Sequence, residues 1–425
     1  MSLYKLFRPK SVLLIGSSRL KVPKIMVSPE IFGRVYASLH EFKGHGFLSD
    51  IEKSHKYPPA DLTIISLPPE KILKIARVLK TRFLLVLSGG FSREQRRELK
   101  VISKGKFRIL GPNSVCGLIN PKEGINTTFE RNLDIPPGKI SLISQSGGVG
   151  AILLDYLISN KVGISKFIWV GDMIDINECD LLGYLLRDRE TEVVLLYLES
   201  VKQPRRFMEL ARHSKKPIIV LKSGISMESK KRARTHTDSL STSQEVYSGA
   251  FKQAGVTEVD NVRDLFNYAL ISERYRGKKI NNVAIISNTG GSSIIASDWC
   301  YRLGLRLSKF SEKTKMEIEK KYPRLETINP LDIRADADGE RFKNVVDVLV
   351  KDGGVDAVLI INQLRSCLLN PEELEVLKGV KTEKVIVDCS PGMGDFKRVK
   401  FFLRDSLPVY SSISDAVKVL KMVSQ

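Results

Sequence analysis

Cysteine is scarce in this chain of 425 residues: Cys116, Cys179, Cys300, Cys367 and Cys389 are the five it has. They stand far apart, are odd in number and sit mostly in apolar or strand-like stretches, a pattern that gives neither a disulfide framework nor a CxxC zinc site. They read as buried thiols in a reducing compartment. No apolar run approaches the ~20 residues of a membrane span, and the N-terminus MSLYKLFRPKSVLLIG lacks a secretory cleavage pattern, so a cytoplasmic protein is expected. Aromatic residues make up only 7% against 42% hydrophobic residues overall, which suits aliphatic α/β domains better than a β-sandwich. The common nucleotide signatures are missing as well: there is no GxxxxGK[ST] and no kinase signature set, so any ATP or ADP must be handled by another chain. The first apolar run ends in Gly16-Ser17-Ser18 instead of GxGxxG, which disfavours NAD. Ser146 lies in QSGG and not GxSxG, which argues against a hydrolase nucleophile. No His, Cys or carboxylate lies at zincin-like spacing, so no metal site is expected.

What is present is basic and repetitive. Lysine and arginine number 68 against 48 aspartates and glutamates, a formal charge of +20, a field that attracts phosphate-bearing ligands, acidic protein surfaces or nucleic acid. The run KKRAR (230–234) is short, has no interleaved aromatics and adjoins His236, where cations serve a phosphate better than a nucleic acid; a nucleic-acid partner is disfavoured. Aliphatic runs alternate with helical patterns from the start: SVLLIG (11–16), ADLTIISLP (60–68), FLLVLSGGF (83–91) and FRILGPN (107–113). Near-continuous apolar strands separated by helices imply a parallel sheet covered on both faces, with a CoA- or nucleotide-phosphate site left open at the strand ends. A proline–glycine break, DIPPGK (134–139), precedes a second series, and RYRGKKINN (274–282) precedes a third. The expectation is therefore an α/β chain of three doubly wound domains, 1–137 (Rossmann-like), 138–278 and 279–425.

One unit recurs. KISLISQSGGVGAILLDYLI and NNVAIISNTGGSSIIASDWC match through an aliphatic strand, a turn S-[QN]-[ST]-G-G and an amphipathic helix. The turns are Ser144-Gln145-Ser146-Gly147-Gly148 and Ser287-Asn288-Thr289-Gly290-Gly291. Glycine permits close approach of a ligand, hydroxyls cap the helix, and a helix N-terminus carries about half a positive charge, so each turn is a candidate phosphate seat. Tight βα turns need the same residues, and that structural reading stands beside it. His236 differs from His40, His45, His55 and His213 because it follows a strand and a basic loop; its neutral imidazole is nucleophilic near pH 7, and its phosphoramidate transfers readily. Glu199 ends the apolar strand VVLLYLES, where a carboxylate is placed to hold the second ring nitrogen and stabilise positive charge; a capping or surface glutamate is the alternative.

In order along the chain, ILGPNSVCGLIN, SQSGG, DLLGYLLRDRETEVVLLYLES, VLKSG, THT followed by VYSGAFKQAG, SNTGG and NPLDIRADAD resemble the α subunit of the nucleoside-diphosphate-forming acyl-CoA synthetases, the archaeal ADP-forming acetyl-CoA synthetase group related to succinyl-CoA synthetase. The resemblance covers essentially the whole chain. It implies a Rossmann-like CoA-binding domain followed by two flavodoxin-like domains of the succinyl-CoA synthetase type. It further implies that His236 is phosphorylated, that Glu199 supports it, and that Ser144, Gln145, Ser146, Gly147 and Gly148 with Asn288, Thr289, Gly290 and Gly291 hold the phosphate. CoA is implied near Gly16, Ser17, Ser18 and Lys24, with Pro68, Ser88, Gly89 and Asn113 at the other strand ends. The implied reaction interconverts acyl-CoA, ADP and phosphate with free acid, CoA and ATP through an acyl phosphate and phosphohistidine. A separate ATP-grasp β subunit carrying ATP or ADP and Mg2+ is implied, in an α2β2 assembly. Two places depart from the family pattern: Asp238 and Thr242 stand where its histidine loop has glycines, and Met26 stands where a glycine often follows the lysine matched by Lys24. A CoA-binding regulatory or acyltransferase-associated protein without phosphoryl transfer is the alternative these departures keep open.

Overall fold

The computed structural model describes residues 2–16, 26–27, 34–38, 57–128, 133–224, 243–275, 277–364, 369–403 and 406–423. They form two compact units, Met1–Leu265 and Phe266–Gln425.

The first unit holds two sheets. Strands Ser11–Gly16, Arg34–Ser38, Ala60–Ser66, Thr81–Val86 and Arg108–Leu110 are all parallel, and counted along the chain their spatial order is 2-1-3-4-5. Strands Pro137–Ser144, Ile164–Trp169, Val193–Leu198, Ile218–Lys222 and Thr257–Val259 repeat that order, again in parallel. Beyond Ile164–Trp169 this second sheet continues through Leu118–Asn120, Ile125–Asn126 and Met26–Val27, paired antiparallel. The segment after ILGPN therefore leaves the first sheet and joins the second, with Phe167 opposite Ile119. Pairing there satisfies backbone groups that an open edge would leave bare. One hydrophobic core runs through both sheets, from Phe7, Leu14 and Leu85 to Ile143, Leu196 and Phe207, which is why they form one unit.

In the second unit, Asn282–Ser287, Arg306–Leu307, Ala357–Ile361, Val385–Cys389 and Val409–Tyr410 give the same parallel 2-1-3-4-5 order. Leu331–Asp332 lies along the C-terminal end of Asn282–Ser287. The sequence explains the architecture: every residue of VVLLYL (193–198) and of AVLII (357–361) is buried, and only a sheet covered on both faces buries a continuous apolar run. Amphipathic helices provide the cover. Arg93–Ser103, for example, starts at a capping box of Ser92 and Gln95 and turns Leu99 and Ile102 inward.

Cys179, Cys300 and Cys389 are buried free thiols and Cys116 is half-buried; Cys367 lies outside the described residues. Burial pushes the Cys300 thiol up to about 12 and raises Cys179 and Cys389 as well, so these three rest protonated. Among the described residues no helix is long and apolar enough to cross a membrane.

Candidate functional site

In a doubly wound sheet of order 2-1-3-4-5, the connections leaving strands 1 and 3 diverge to opposite faces and open a crevice at the strand C-termini. In the second sheet that crevice lies between Ser144 and Leu198. The turn after Ser144 is locally held: the Ser144 hydroxyl donates to the Ser146 carbonyl at 2.8 Å, and the Ser146 side chain caps helix Gly147–Asn160 by accepting from Val149 N at 3.3 Å. At Gly148 a Cβ would meet open space, and at Gly147 it would meet the Val115 side chain at 3.4 Å. The helix N-terminus therefore faces the ILGPNSV segment, with first-turn N–H groups and the positive dipole end available to an anion.

Gln145 joins this turn to Glu199. Its Oε1 accepts from Glu199 N at 2.8 Å and Ser200 N at 2.9 Å, and its Nε2 donates to the Ser200 hydroxyl at 3.1 Å. The buried amide is thus a clamp across the crevice, its oxygen bonded to two backbone N–H groups and its nitrogen to the Ser200 hydroxyl. Glu199 is half-buried. Burial, together with the nearby Glu199 charge, raises the Tyr197 phenol above its ordinary value, while its hydrogen bond with Ser223 acts the other way. The buried Lys222, at the end of the next strand, donates to the Glu199 carbonyl at 2.8 Å and lies 4.6 Å from the Tyr247 ring centre. His236, Asp238, Thr242 and the KKRAR run lie outside the described residues, as do Ser17, Ser18 and Lys24.

The remaining candidates for CoA fall at the strand ends of the first sheet. Gly16 ends strand 1, and Pro68 follows strand 3 as the N-cap of helix Pro69–Val78, so the two flank that sheet's crevice. Ser88, Gly89 and Asn113 are brought together: Asn113 N donates to the Ser88 carbonyl at 2.8 Å, and a Cβ on Gly89 would meet Asn113 Oδ1 at 2.7 Å. The buried Ser88 hydroxyl has no partner among the described residues, which leaves a donor for a ligand at this point. Asn113 Nδ2 lies 3.5 Å from Asp172, which also pairs with Arg96 at 3.0 Å. Burial pushes the Asp172 carboxyl up, against the pull of Arg96 and Asn113.

The second unit repeats the clamp. The buried Asn288 donates through Nδ2 to the Gln363 carbonyl and accepts from Gln363 N, both at 2.9 Å, again joining strands 1 and 3. Thr289 is the N-cap of helix Gly290–Arg302 without a side-chain cap bond, so that helix end is less satisfied than its counterpart. The Asp332 carboxylate approaches within 3.5 Å of where a Gly290 Cβ would lie, a negative charge that competes with an anion at this turn. Behind the turn, Asp388 is fully buried, with Asn362 Nδ2 at 2.6 Å and the Ser390 hydroxyl at 2.9 Å. Burial pushes its carboxyl up to about 7, against both hydrogen bonds. The folded state then holds a proton that the unfolded chain releases between about pH 4 and pH 7, so stability falls as pH rises through that window and levels off above it. Thermal melts of the wild type should show this fall, and Asp388→Asn should flatten it; equal slopes would show that Asp388 titrates normally.

Sequence reading did not single out Lys222, Asp388, Asp172 or the bonding of the two turn amides. Lys222 carried a signal, a cation closing the otherwise apolar IIVLK strand, and Asp388 a similar one in VIVDC. The partners that give the others meaning are distant in the chain.

A family model, the succinyl-CoA ligase like flavodoxin domain, matches residues 137–271. The acetate–CoA ligase (ADP-forming) I of Archaeoglobus fulgidus is 32% identical over 99% of this chain and 63% of its own length, so the chain spans just under two thirds of that relative. Acetate–CoA ligase (ADP-forming) I subunit alpha of Pyrococcus furiosus is 30% identical over 99% of this chain and 96% of its own length. A solved structure, the Candidatus Korarchaeum cryptofilum dinucleotide forming acetyl-coenzyme A synthetase 1 in complex with phosphate and ADP, has a TM-score of 0.90 at 25% identity and covers 99% of this chain and 96% of that one. Repeated 2-1-3-4-5 sheets with glycine turns clamped at the crevices thus define a doubly wound α/β protein of the succinyl-CoA ligase type. The chain belongs to the ADP-forming acetate–CoA ligase family, in its α-subunit branch.

Proposed function

We propose that this chain is the α subunit of an ADP-forming acyl-CoA synthetase. Residues 1–137 bind CoA, 138–278 carry the phosphohistidine, and 279–425 supply the second phosphate turn. In the direction of ATP synthesis, phosphate attacks the thioester carbonyl and CoA leaves as thiolate, giving an acyl phosphate. The His236 imidazole attacks phosphorus, the carboxylate leaves, and a terminal oxygen of ADP then takes the phosphoryl group from the ring. Glu199 accepts the hydrogen bond of the other ring N–H and stabilises the cationic phosphoimidazole, while the Gly147 helix N-terminus offsets the phosphoryl charge. ATP or ADP and Mg2+ belong to an ATP-grasp partner in an α2β2 assembly in the cytoplasm. The observation that carries this reading is the Gln145 clamp, which ties the backbone N–H groups of Glu199 and Ser200 to the phosphate turn through bonds of 2.8 and 2.9 Å. Co-expression with an ATP-grasp subunit should give ADP release that depends on acid, CoA and ATP together; release that ignores CoA sinks the proposal.

CoA should slow hydrogen exchange in residues 11–30 and 107–120, because the thiol arm reaches from the first-sheet crevice toward Ser88, Gly89 and Asn113. Protection confined to residues 280–425 would place CoA elsewhere.

Asp238 is the observation that favours the CoA-binding regulatory reading, since a carboxylate two residues from His236 repels an incoming phosphoryl group. Lys230, Lys231, Arg232 and Arg234 adjoin it in the sequence and offset that repulsion, and charges in water are screened over about 8 Å at physiological salt. The net penalty is then about 1 kcal/mol or less, and Asp238→Gly should change turnover by less than about tenfold. An inactive wild type restored by several orders of magnitude in Asp238→Gly would hand the protein to the regulatory reading.

A further inference from the structure

A second concavity lies at the opposite end of the second sheet. Residues 188–190 precede strand Val193–Leu198 and Glu199 follows it, so the two places are about one strand length apart, roughly 16–20 Å. The cavity measures about 930 Å³ and is bordered by six cationic side chains, Arg8, Arg108, Lys122, Arg187, Arg189 and Arg206, and three carboxylates, Asp180, Asp188 and Glu190.

The carboxylates are already committed. Asp180 pairs with Arg108 at 2.8 Å and Arg206 at 2.9 Å. Glu190 pairs with Arg8, and with Lys122 at 2.8 Å. Behind them the fully buried Lys166 lies 2.6 Å from Asp188 and 3.1 Å from Glu190. Such a buried cation is held in place only because both acids face it, and together they make a rigid floor. Arg187 and Arg189 remain. Both are exposed on the cavity rim, and among the described residues neither makes an ion pair or a hydrogen bond. Helix Glu178–Arg187 ends beside them, and its C-terminal dipole contributes roughly half a negative charge, which does not cancel two guanidinium charges. Tyr184, stacked on Phe7 at 4.6 Å, and the half-exposed Tyr4 form the apolar wall.

A guanidinium is weakly hydrated and presents a fork of N–H groups matched to phosphate oxygens. Two uncommitted guanidiniums on a braced, concave floor suit an anion with several phosphate groups better than a single carboxylate. We propose that this cavity binds a small polyphosphate anion, seated by Arg187 and Arg189 and separate from the turn that carries Glu199. The assignment does not rest on the proposed ligase activity.

The test is calorimetric titration of the full chain at low salt with inorganic tripolyphosphate and, separately, ATP. Tripolyphosphate should bind, the double variant Arg187→Ala/Arg189→Ala should weaken it by at least about tenfold, and His236→Ala should leave it unchanged. Acyl-CoA synthesis with the partner subunit, without added tripolyphosphate, should be unaltered in the double variant. Equal binding of the two probes supports recognition of the phosphates alone, and tighter ATP binding supports added contact with the nucleoside. The site is overturned by undetectable binding, by binding that survives the alanine pair, or by full retention in Arg187→Lys/Arg189→Lys, which would reduce it to diffuse attraction by a basic chain. Loss of binding when the partner subunit is added would also overturn it and make the cavity a protein interface.

Discussion

Incubated with its ATP-grasp partner and ATP labelled on the γ-phosphate, the wild-type chain should take up label that is lost in acid and kept in base, and His236→Ala should take up none. The expected effect is total because no other group replaces a covalent carrier: phosphate on a ring nitrogen is held by a P–N bond that protonation weakens, whereas serine, threonine and tyrosine esters resist acid. The acid lability therefore separates a phosphohistidine from an ester at Ser144 or Ser146 in the same assay. Label that persists in His236→Ala would remove this residue from the mechanism. Loss of label with the wild-type melting temperature retained would exclude unfolding as the cause.

Glu199→Gln should slow phosphorylation of the chain by about 100- to 10,000-fold, up to the loss found when a carboxylate that orients a catalytic histidine loses its charge, equivalent to ~3–5 kcal/mol in the barrier. The fold should survive, because two bonds that fix residue 199 in place use its backbone and are kept in the variant: its N–H goes to Gln145 at 2.8 Å and its carbonyl accepts from Lys222 at 2.8 Å. The substitution removes charge while preserving shape. An unchanged phosphorylation rate would assign Glu199 to structure. If Glu199 acts on the ring, the pH profile of phosphorylation should also shift toward lower pH, because the histidine loses the negative charge that favours its protonated form.

Much of this was legible in the residues. The runs SVLLIG, VVLLYL and AVLII contain no alternation, so burial on both faces and hence a parallel sheet follow locally from hydrophobic pattern. The glycine turns were legible because strand, turn and helix occupy neighbouring positions, and the structure starts helices at Gly147 and Gly290 as the repeat implies. The path of residues 118–126 was not legible: LIN and IN are short, buried segments, and nothing in them says which sheet edge they complete. Gln145 and Asn288 were read as phosphate contacts, and the bonds that their amides make to the neighbouring strand end were not legible. An amide in a turn looks the same in sequence whether it meets a ligand or a backbone.

By itself the sequence determined that this chain is α/β, where many of its aliphatic strands lie, and which turns offer helix N-termini, because each of these depends on side chains within a few residues of one another. Only the tertiary structure decided the 2-1-3-4-5 order of the sheets, and with it the crevice that sets the Ser144–Gly148 turn against Glu199, 54 residues from Gln145. The same holds for Lys166, paired with acids 22 and 24 residues away. Apolar pattern states that a strand is buried; which strand lies beside it is chosen by packing of the whole sheet and its helices, and polar groups acquire partners, charge states and chemistry only once that choice is made.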